Sequence, residues 1–360
     1  MTALKDRIAA LIRATGPISV ADYMRICLFD PADGYYTRRD PFGADGDFVT
    51  APEISQMFGE LVASWLVAAW DAVGRPPKPV FAEIGPGRGT MMRDMLRTFE
   101  RLVPGLLAEA DIVLVEASPR LARIQREALA KSPGNPAWAA TVHELPERPL
   151  FTVGNELFDA IPARQFVLAG SVWRERMVAL SEEGELVFAH GTPVSAWRAP
   201  VHRGSLPDGT VFEAAPAREA MLQLVAARLA AHGGAGLFFD YGSLEGGVGD
   251  TLQAIKAHEP VGVFDFPGES DLTSHVDFAA LASVARAQGL QAAMTAQHEF
   301  LSALGIVERA GRLAAGRDAA TADRIAAERD RLIGETEMGT LFKVLAVAPP
   351  GLPLYPFAAG

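Results

Sequence analysis

The chain has a single cysteine, Cys27, among 360 residues. One thiol cannot close an internal disulfide, and this usage fits a reducing compartment. Long apolar runs are also missing: none reaches the roughly 18 residues of a membrane-spanning helix. The longest candidates, such as "LVASWLVAAW", read as a buried helix. The seven histidines follow no H-E-x-x-H or other metal spacing, and one cysteine cannot build a thiolate site, so no metal is implied. Positive charge is scarce as well. A net charge of −11 argues against non-specific binding to a nucleic-acid backbone, which needs clustered Lys and Arg. It suits a cationic partner, or solubility alone. In "MTALKDRIAALIRATG" charges interrupt Leu4, Ile8, Leu11 and Ile12 at helical spacing. A signal peptide's unbroken apolar stretch is absent and Asp6 is unlike a transit peptide, so a cytoplasmic location is expected.

What is present is an ordinary globular balance, 49% hydrophobic and 21% charged. Residues 1–78 read as helical, broken by "FDPADGYYTRRDPFGADGDFVTAPE", a Gly-, Asp- and Pro-rich stretch of the kind that covers active sites. Tyr35, Tyr36 and Phe48 in or beside it would form a lid or a small surface cluster. Thr50 and Glu53 match a T-x-x-E capping box, with Pro52 in the first turn. They would open a helix carrying Ile54, Phe58, Leu61, Val62 and Trp65 on one face. From Val80 to Val153 short apolar runs alternate with helical patterns, the mark of a parallel sheet with crossover helices. "RQFVLAG", "SVWRERMVAL" and "ELVFAH" read instead as antiparallel strands. A helix at about 216–232 and the strand "AGLFFDYG" resume the alternation. A polar loop, more helix to about 334 and the closing strand "TLFKVLAVA" complete the chain. The expected organisation is an N-terminal helical region and lid over 1–78, then a main domain over 79–348. That domain carries insertions at about 163–215 and 250–335, and a tail follows over 349–360.

The informative turn is "EIGPGRGT". Its glycines are Gly85, Gly87 and Gly89, and Thr90 stands where a dinucleotide G-x-G-x-x-G fingerprint needs glycine. The lysine of a P-loop is missing too. A G-x-G-x-G turn after an acid-ended strand resembles the first motif of Rossmann-like S-adenosyl-L-methionine (SAM) methyltransferases. Glycines let the backbone approach a ligand closely, and Glu83 is placed to meet a cationic amino group. In "DIVLVEAS" Glu116 ends the next strand, where it would accept two ribose hydroxyls; a solvated strand end is the plainer alternative. "AATV", read as the third strand, ends at His143 and Glu144, near where such enzymes approach adenine.

The fourth strand, "LFTVG", runs into "NELFDAIP", and its end should face the reactive methyl group. Asp/Asn-Pro-Pro-aromatic, frequent in enzymes that methylate nucleobase amines, is not found there. A carboxylate suits a guanidinium, which it can hold by two hydrogen bonds. Glu156 is the first choice for that role and Asp159 the second. Both would equally serve as acids at a helix start. Glu53 could face the same cleft, though the capping box already accounts for it.

Several stretches together resemble the MidA-type methyltransferases, a family that includes the mitochondrial complex I assembly methyltransferase. They are "DGYYTRRDPFGADGDFVTAPEISQMFGE", "EIGPGRGTMMRD", "GNELFDAIPARQF", "WRERMV", "FFDYG", "DTLQAIKAHE", "PGESDLTSHVDF" and "MGTLFKVLA". They run in order from about residue 23 to 348. The resemblance implies an α/β fold, a Rossmann-like class I SAM-methyltransferase sheet with N-terminal helical and inserted antiparallel or helical elaborations. It implies SAM as cofactor, held by Glu83, Gly85, Gly87, Gly89 and Glu116, with Glu144 toward adenine and Thr50 to Glu53 closing over it. It places Asn155 and Glu156 beside the methyl group. It makes a protein arginine of a respiratory NADH dehydrogenase subunit the expected acceptor, with symmetric dimethylation. No nucleic acid and no membrane insertion are expected from the charge and the short apolar runs, and a homodimer is one oligomeric option. Heavy use of Arg over Lys points to a bacterial member acting in the cytoplasm, whereas eukaryotic relatives work in the mitochondrial matrix. Two other functions remain on the table: a SAM-binding assembly chaperone with little turnover, and a NAD-dependent oxidoreductase, against which Thr90 speaks.

Overall fold

The structure, a computed structural model, describes residues 3–38, 50–194 and 206–357. It divides into two compact units. One gathers Met1–Phe48, Phe158–Ala220 and Glu245–Asp277, the other Val49–Leu157, Met221–Leu244 and Phe278–Gly360.

The second unit is built on seven strands: β1 (Val80–Ile84), β2 (Asp111–Val115), β3 (Ala137–Ala139), β4 (Leu150–Asn155), β5 (Gly234–Ser243), β6 (Gln291–Ala296) and β7 (Phe342–Ala348). Their order across the sheet is β6-β7-β5-β4-β1-β2-β3. β1 pairs in parallel with both β2 and β4, and β7 runs antiparallel to its neighbours β5 and β6. All five residues of β1 and all six of β4 are buried. Strands covered on both faces lose the polar alternation of a one-sided sheet and read as continuous apolar runs. That is why "VFAEI" and "LFTVG" were legible.

The covering helices include α1 (Ala51–Ile54), α2 (Gln56–Ala72), α3 (Thr90–Leu102) and α4 (Pro119–Leu129). α3 turns Met91, Met92, Met95, Leu96 and Phe99 inward, the i, i+3/i+4 pattern of a helix with one apolar face. Phe81 of β1 stacks on Phe151 of β4 and meets Phe99 of α3 at 4.7 Å between ring centres. Phe58 of α2 meets Phe239 of β5 edge-on at 4.9 Å. Aromatic pairs in these geometries add about 0.5–1.5 kcal/mol each beyond the area they bury.

Two local expectations change. The single helix opening at Thr50 is two helices: Thr50 makes no side-chain cap, and the chain extends at Ser55, whose hydroxyl then caps α2 at the Met57 N–H. "AATV" is a strand only through Ala139, and Val142–Glu144 form a 3-10 turn.

The first unit is antiparallel. Strands Ile18–Ser19, Val172–Leu180, Arg164–Ala169 and Val211–Ala214 lie in that order, with Leu186–Pro193 also on Val172–Leu180. These strands bear out the antiparallel reading of "RQFVLAG" and its neighbours. A second sheet of three strands, Glu259–Val261, Gln253–Lys256 and Asp271–Thr273, was not expected; of these Asp271–Thr273 falls within the stretch read as a polar loop. Helices Ala3–Thr15 and Val20–Phe29 pack Leu4, Ile8, Tyr23, Met24 and Cys27 into this unit's core. Tyr35 is fully buried there, and the Tyr36 hydroxyl meets the Asp271 carboxylate at 3.2 Å. The pair is thus core packing rather than an open lid. The rest of the expected lid, residues 39–49 with Phe48, lies outside the described residues. Among the described residues no helix is long and apolar enough to cross a membrane.

Candidate functional site

From β1 the chain steps outward through β2 to β3, then returns to lay β4 on the other side of β1. The carboxyl ends of β1 and β4 therefore flank the point where strand order reverses, the place where open parallel sheets bind ligands.

Side chains alternate faces along a strand. Glu83 pairs with Leu114 of β2 and Val153 of β4. Glu83, Leu114 and Val153 therefore share one face, and so do Glu116 and Asn155 two steps further on. Lower on that face, Phe81, Ile112 and Phe151 join one apolar cluster. At the strand ends the same face turns polar, with three side chains dominated by acceptor oxygens.

Glu83 is 2% exposed, and its Oε2 has no hydrogen-bond partner. Burial pushes its carboxyl well above the usual carboxylate range; a hydrogen bond from the Met92 backbone N–H offsets this only in part. Asn155 is buried with an unpartnered Oδ1, while its Nδ2 donates to Glu156 Oε1 at 3.1 Å. Glu156 has φ +49, a left-handed conformation that costs a non-glycine residue about 1–2 kcal/mol. Its own N–H is held by the Phe239 carbonyl at 2.9 Å. Strain of this kind clusters where function fixes the backbone. No helix begins here, since residues 156–163 form bends and turns. A helix-start role for Glu156 and Asp159 is therefore ruled out.

The glycine turn has φ +67 at Gly85, +51 at Gly87 and +81 at Gly89. A side chain at Gly85 would also press its Cβ to 3.2 Å from Leu157 Cδ1. The turn is tied at both ends. Thr90 donates its hydroxyl to Glu53 Oε1 at 2.5 Å; the Gly87 carbonyl accepts from Gln125 Nε2 at 2.8 Å. Glu53 thus braces the first turn of α3 rather than capping a helix of its own. Glu116 accepts the Ser118 N–H at 2.7 Å and Gln125 Nε2 at 3.0 Å. Burial raises its pKa, and these two donors pull it back. Glu144 spends both oxygens locally, on the Ala140 N–H and the Thr141 hydroxyl.

Asp159 belongs to the other unit. Within it, the guanidinium of Arg218, itself 2% exposed, donates to the carbonyls of Asp159, Ile161 and His275 and to the Ser274 hydroxyl. Sequence reasoning missed Arg218 and Gln125. Each sits in a predicted helix, where a lone polar residue looks solvent-facing, and no motif marks either.

SAM brings an ammonium group and two ribose hydroxyls, all donors, and no pyrophosphate. A buried unpartnered carboxylate oxygen on Glu83, a second carboxylate at Glu116 and a turn held at positive φ by its three glycines suit that donor set. A dinucleotide's phosphates would need donors instead. The residues present fit the group. Among the described residues no group of three or more His, Cys, Asp or Glu side chains is gathered for a metal.

Comparison with known proteins agrees. Residues 61–296 match the family model described as "Putative S-adenosyl-L-methionine-dependent methyltransferase". The chain is 35% identical over 372 residues to Protein arginine methyltransferase NDUFAF7, mitochondrial, of Danio rerio, covering 94% of this chain and 85% of the relative. It is 33% identical over 366 residues to the Homo sapiens protein of the same name, covering 94% and 81%. A Burkholderia thailandensis crystal structure with S-adenosyl-homocysteine bound superimposes with a TM-score of 0.83 at 31% identity, covering 98% of this chain and 92% of that one.

Proposed function

The chain belongs to this family of SAM-dependent methyltransferases, and from that premise we propose that it methylates arginine in a protein. The acceptor is a subunit of the respiratory NADH dehydrogenase, modified to symmetric dimethylarginine during complex I assembly. The enzyme would act in the cytoplasm.

One observation carries the choice of arginine: the end of β4 presents acceptors. The buried Asn155 Oδ1 has no donor, and the Glu156 carboxylate stands beside it. A guanidinium has five N–H donors and no acceptor, whereas a nucleobase amine comes with ring nitrogens that need donors of their own. The names of the mitochondrial relatives support the same acceptor.

SAM supplies an electrophilic methyl group on a sulfonium. The protein's part is placement, because a charged guanidinium is a weak nucleophile whose lone pairs are delocalised. Glu156 would grip the planar fork through paired hydrogen bonds and aim one nitrogen along the line of transfer. Asn155 Oδ1 would accept a further N–H, fixing rotation of the fork. Such positioning supplies several kcal/mol of barrier reduction. As the new N–C bond replaces the methyl–sulfur bond, whose electron pair stays on sulfur, the attacking nitrogen would shed one proton, and a Glu156 carboxylate oxygen is the group to hold it.

Glu156→Gln tests the reading. It keeps the shape but loses charge and one acceptor, so binding of S-adenosyl-homocysteine should stay within about twofold while methyl transfer falls by about a hundredfold or more. Undiminished turnover would remove Glu156 from the acceptor site.

A further inference from the structure

We propose that Gln125 and Trp138 form a relay that orients Glu116 and the glycine turn together, making Gln125 a positioning residue for the cofactor's ribose. This inference rests on the reading of Glu116 as the ribose acceptor. Gln125 lies on α4, is fully buried, and uses both ends of its amide. Its Nε2 donates to the Gly87 carbonyl at 2.8 Å and to Glu116 Oε2 at 3.0 Å. Its Oε1 accepts from the Trp138 indole at 2.9 Å.

The indole fixes which way the amide faces. An indole N–H can only donate, so the atom it meets must be the amide oxygen. The NH2 end is thereby aimed at Glu116 and Gly87. Flipped, the amide would set its oxygen against a carboxylate and a carbonyl, three acceptors with no proton between them. Trp138 is held in turn by the Arg126 guanidinium, 4.7 Å over its ring.

The consequence for the ligand is a count of lone pairs. A carboxylate offers about four acceptor sites. The Ser118 N–H occupies one on Oε1 and Gln125 one on Oε2. One site per oxygen is left, matching the two hydroxyls of a ribose. The same amide restrains the carbonyl of Gly87 at its φ of +51, so turn and carboxylate are set by one side chain.

The test is calorimetric titration with S-adenosyl-homocysteine and its 2′-deoxy analogue. Wild type should bind the deoxy analogue about tenfold or more weakly. Gln125→Leu should bind S-adenosyl-homocysteine about ten- to a hundredfold more weakly and discriminate the two ligands by less than about threefold. Loss of packing alone would weaken both ligands equally and leave the ratio intact. Trp138→Phe keeps Gln125 and frees its amide, so the ratio should fall part of the way; this arm decides the matter if Gln125→Leu does not fold. Wild-type discrimination in both variants, or in Trp138→Phe where Gln125→Leu is unfolded, overturns the relay alone. A wild type that binds S-adenosyl-homocysteine without discriminating overturns the role of Glu116 as well.

Discussion

Replacing Glu83 by Gln probes the cofactor site at its most buried acid. The substitution preserves shape and removes one acceptor and the capacity for charge. In wild type the carboxyl is forced toward its neutral form by burial, and its Oε2 has no protein donor. An incoming ammonium would supply that donor and favour the ionised form. A hydrogen bond between charged partners is worth about 1.5–3 kcal/mol. At about 1.4 kcal/mol per decade, Glu83→Gln should weaken S-adenosyl-homocysteine binding about ten- to 150-fold. The pH dependence gives a second reading. Between the ordinary carboxyl value of 4.5 and its raised value, ligand-free Glu83 holds a proton that binding must release. Affinity should therefore climb with pH through this interval and flatten above it. Folding stability without ligand runs the other way: the folded state holds the extra proton, so this contribution is full below 4.5 and is lost as pH rises through the raised value. Calorimetric titration over a pH series measures the affinities, and urea unfolding over the same series measures the stability. A variant that binds within about twofold of wild type, or a wild-type affinity that falls as pH rises, refutes the assignment of Glu83 to the ammonium.

Two further substitutions separate strain from contact. Gly85→Ala must hold an L residue at φ +67 and push Leu157 from 3.2 Å, whereas Gly89→Ala at φ +81 meets nothing closer than 3.5 Å. Each costs about 1–2 kcal/mol of strain, but only the first displaces the residue after Glu156. Gly85→Ala should therefore lose more methyl transfer than Gly89→Ala, and equal losses would count against the contact. Arg218→Lys gives up a fork that reaches four acceptors, and urea unfolding should register a loss of about 2–4 kcal/mol. A loss below about 0.5 kcal/mol would mean that this cluster does not hold its unit together.

The parts of this molecule legible in the sequence are those set by short-range pattern. Strands β1 and β4 announced themselves as buried apolar runs, and the acid-ended strand followed by Gly85, Gly87 and Gly89 needed only local spacing. The antiparallel strands around Val172–Leu180 were signalled by the turns between them. What pattern cannot carry is the partner of a polar side chain. Glu53 fits a capping box in sequence, yet its carboxylate goes to Thr90, 37 residues away. Gln125 and Trp138 look unrelated until β3 and α4 are packed side by side. The three short strands between residues 253 and 273 were missed because strands of three or four residues carry too few alternations to register.

The central claim concerns the acceptor, and quantitative mass spectrometry of respiratory NADH dehydrogenase tests it most directly. The complex would be purified from cells with the protein, from cells lacking it, and from lacking cells supplied with the Glu156→Gln form. The account predicts one subunit arginine symmetrically dimethylated in the first and unmodified in the other two. Identical arginine methylation in all three would contradict it.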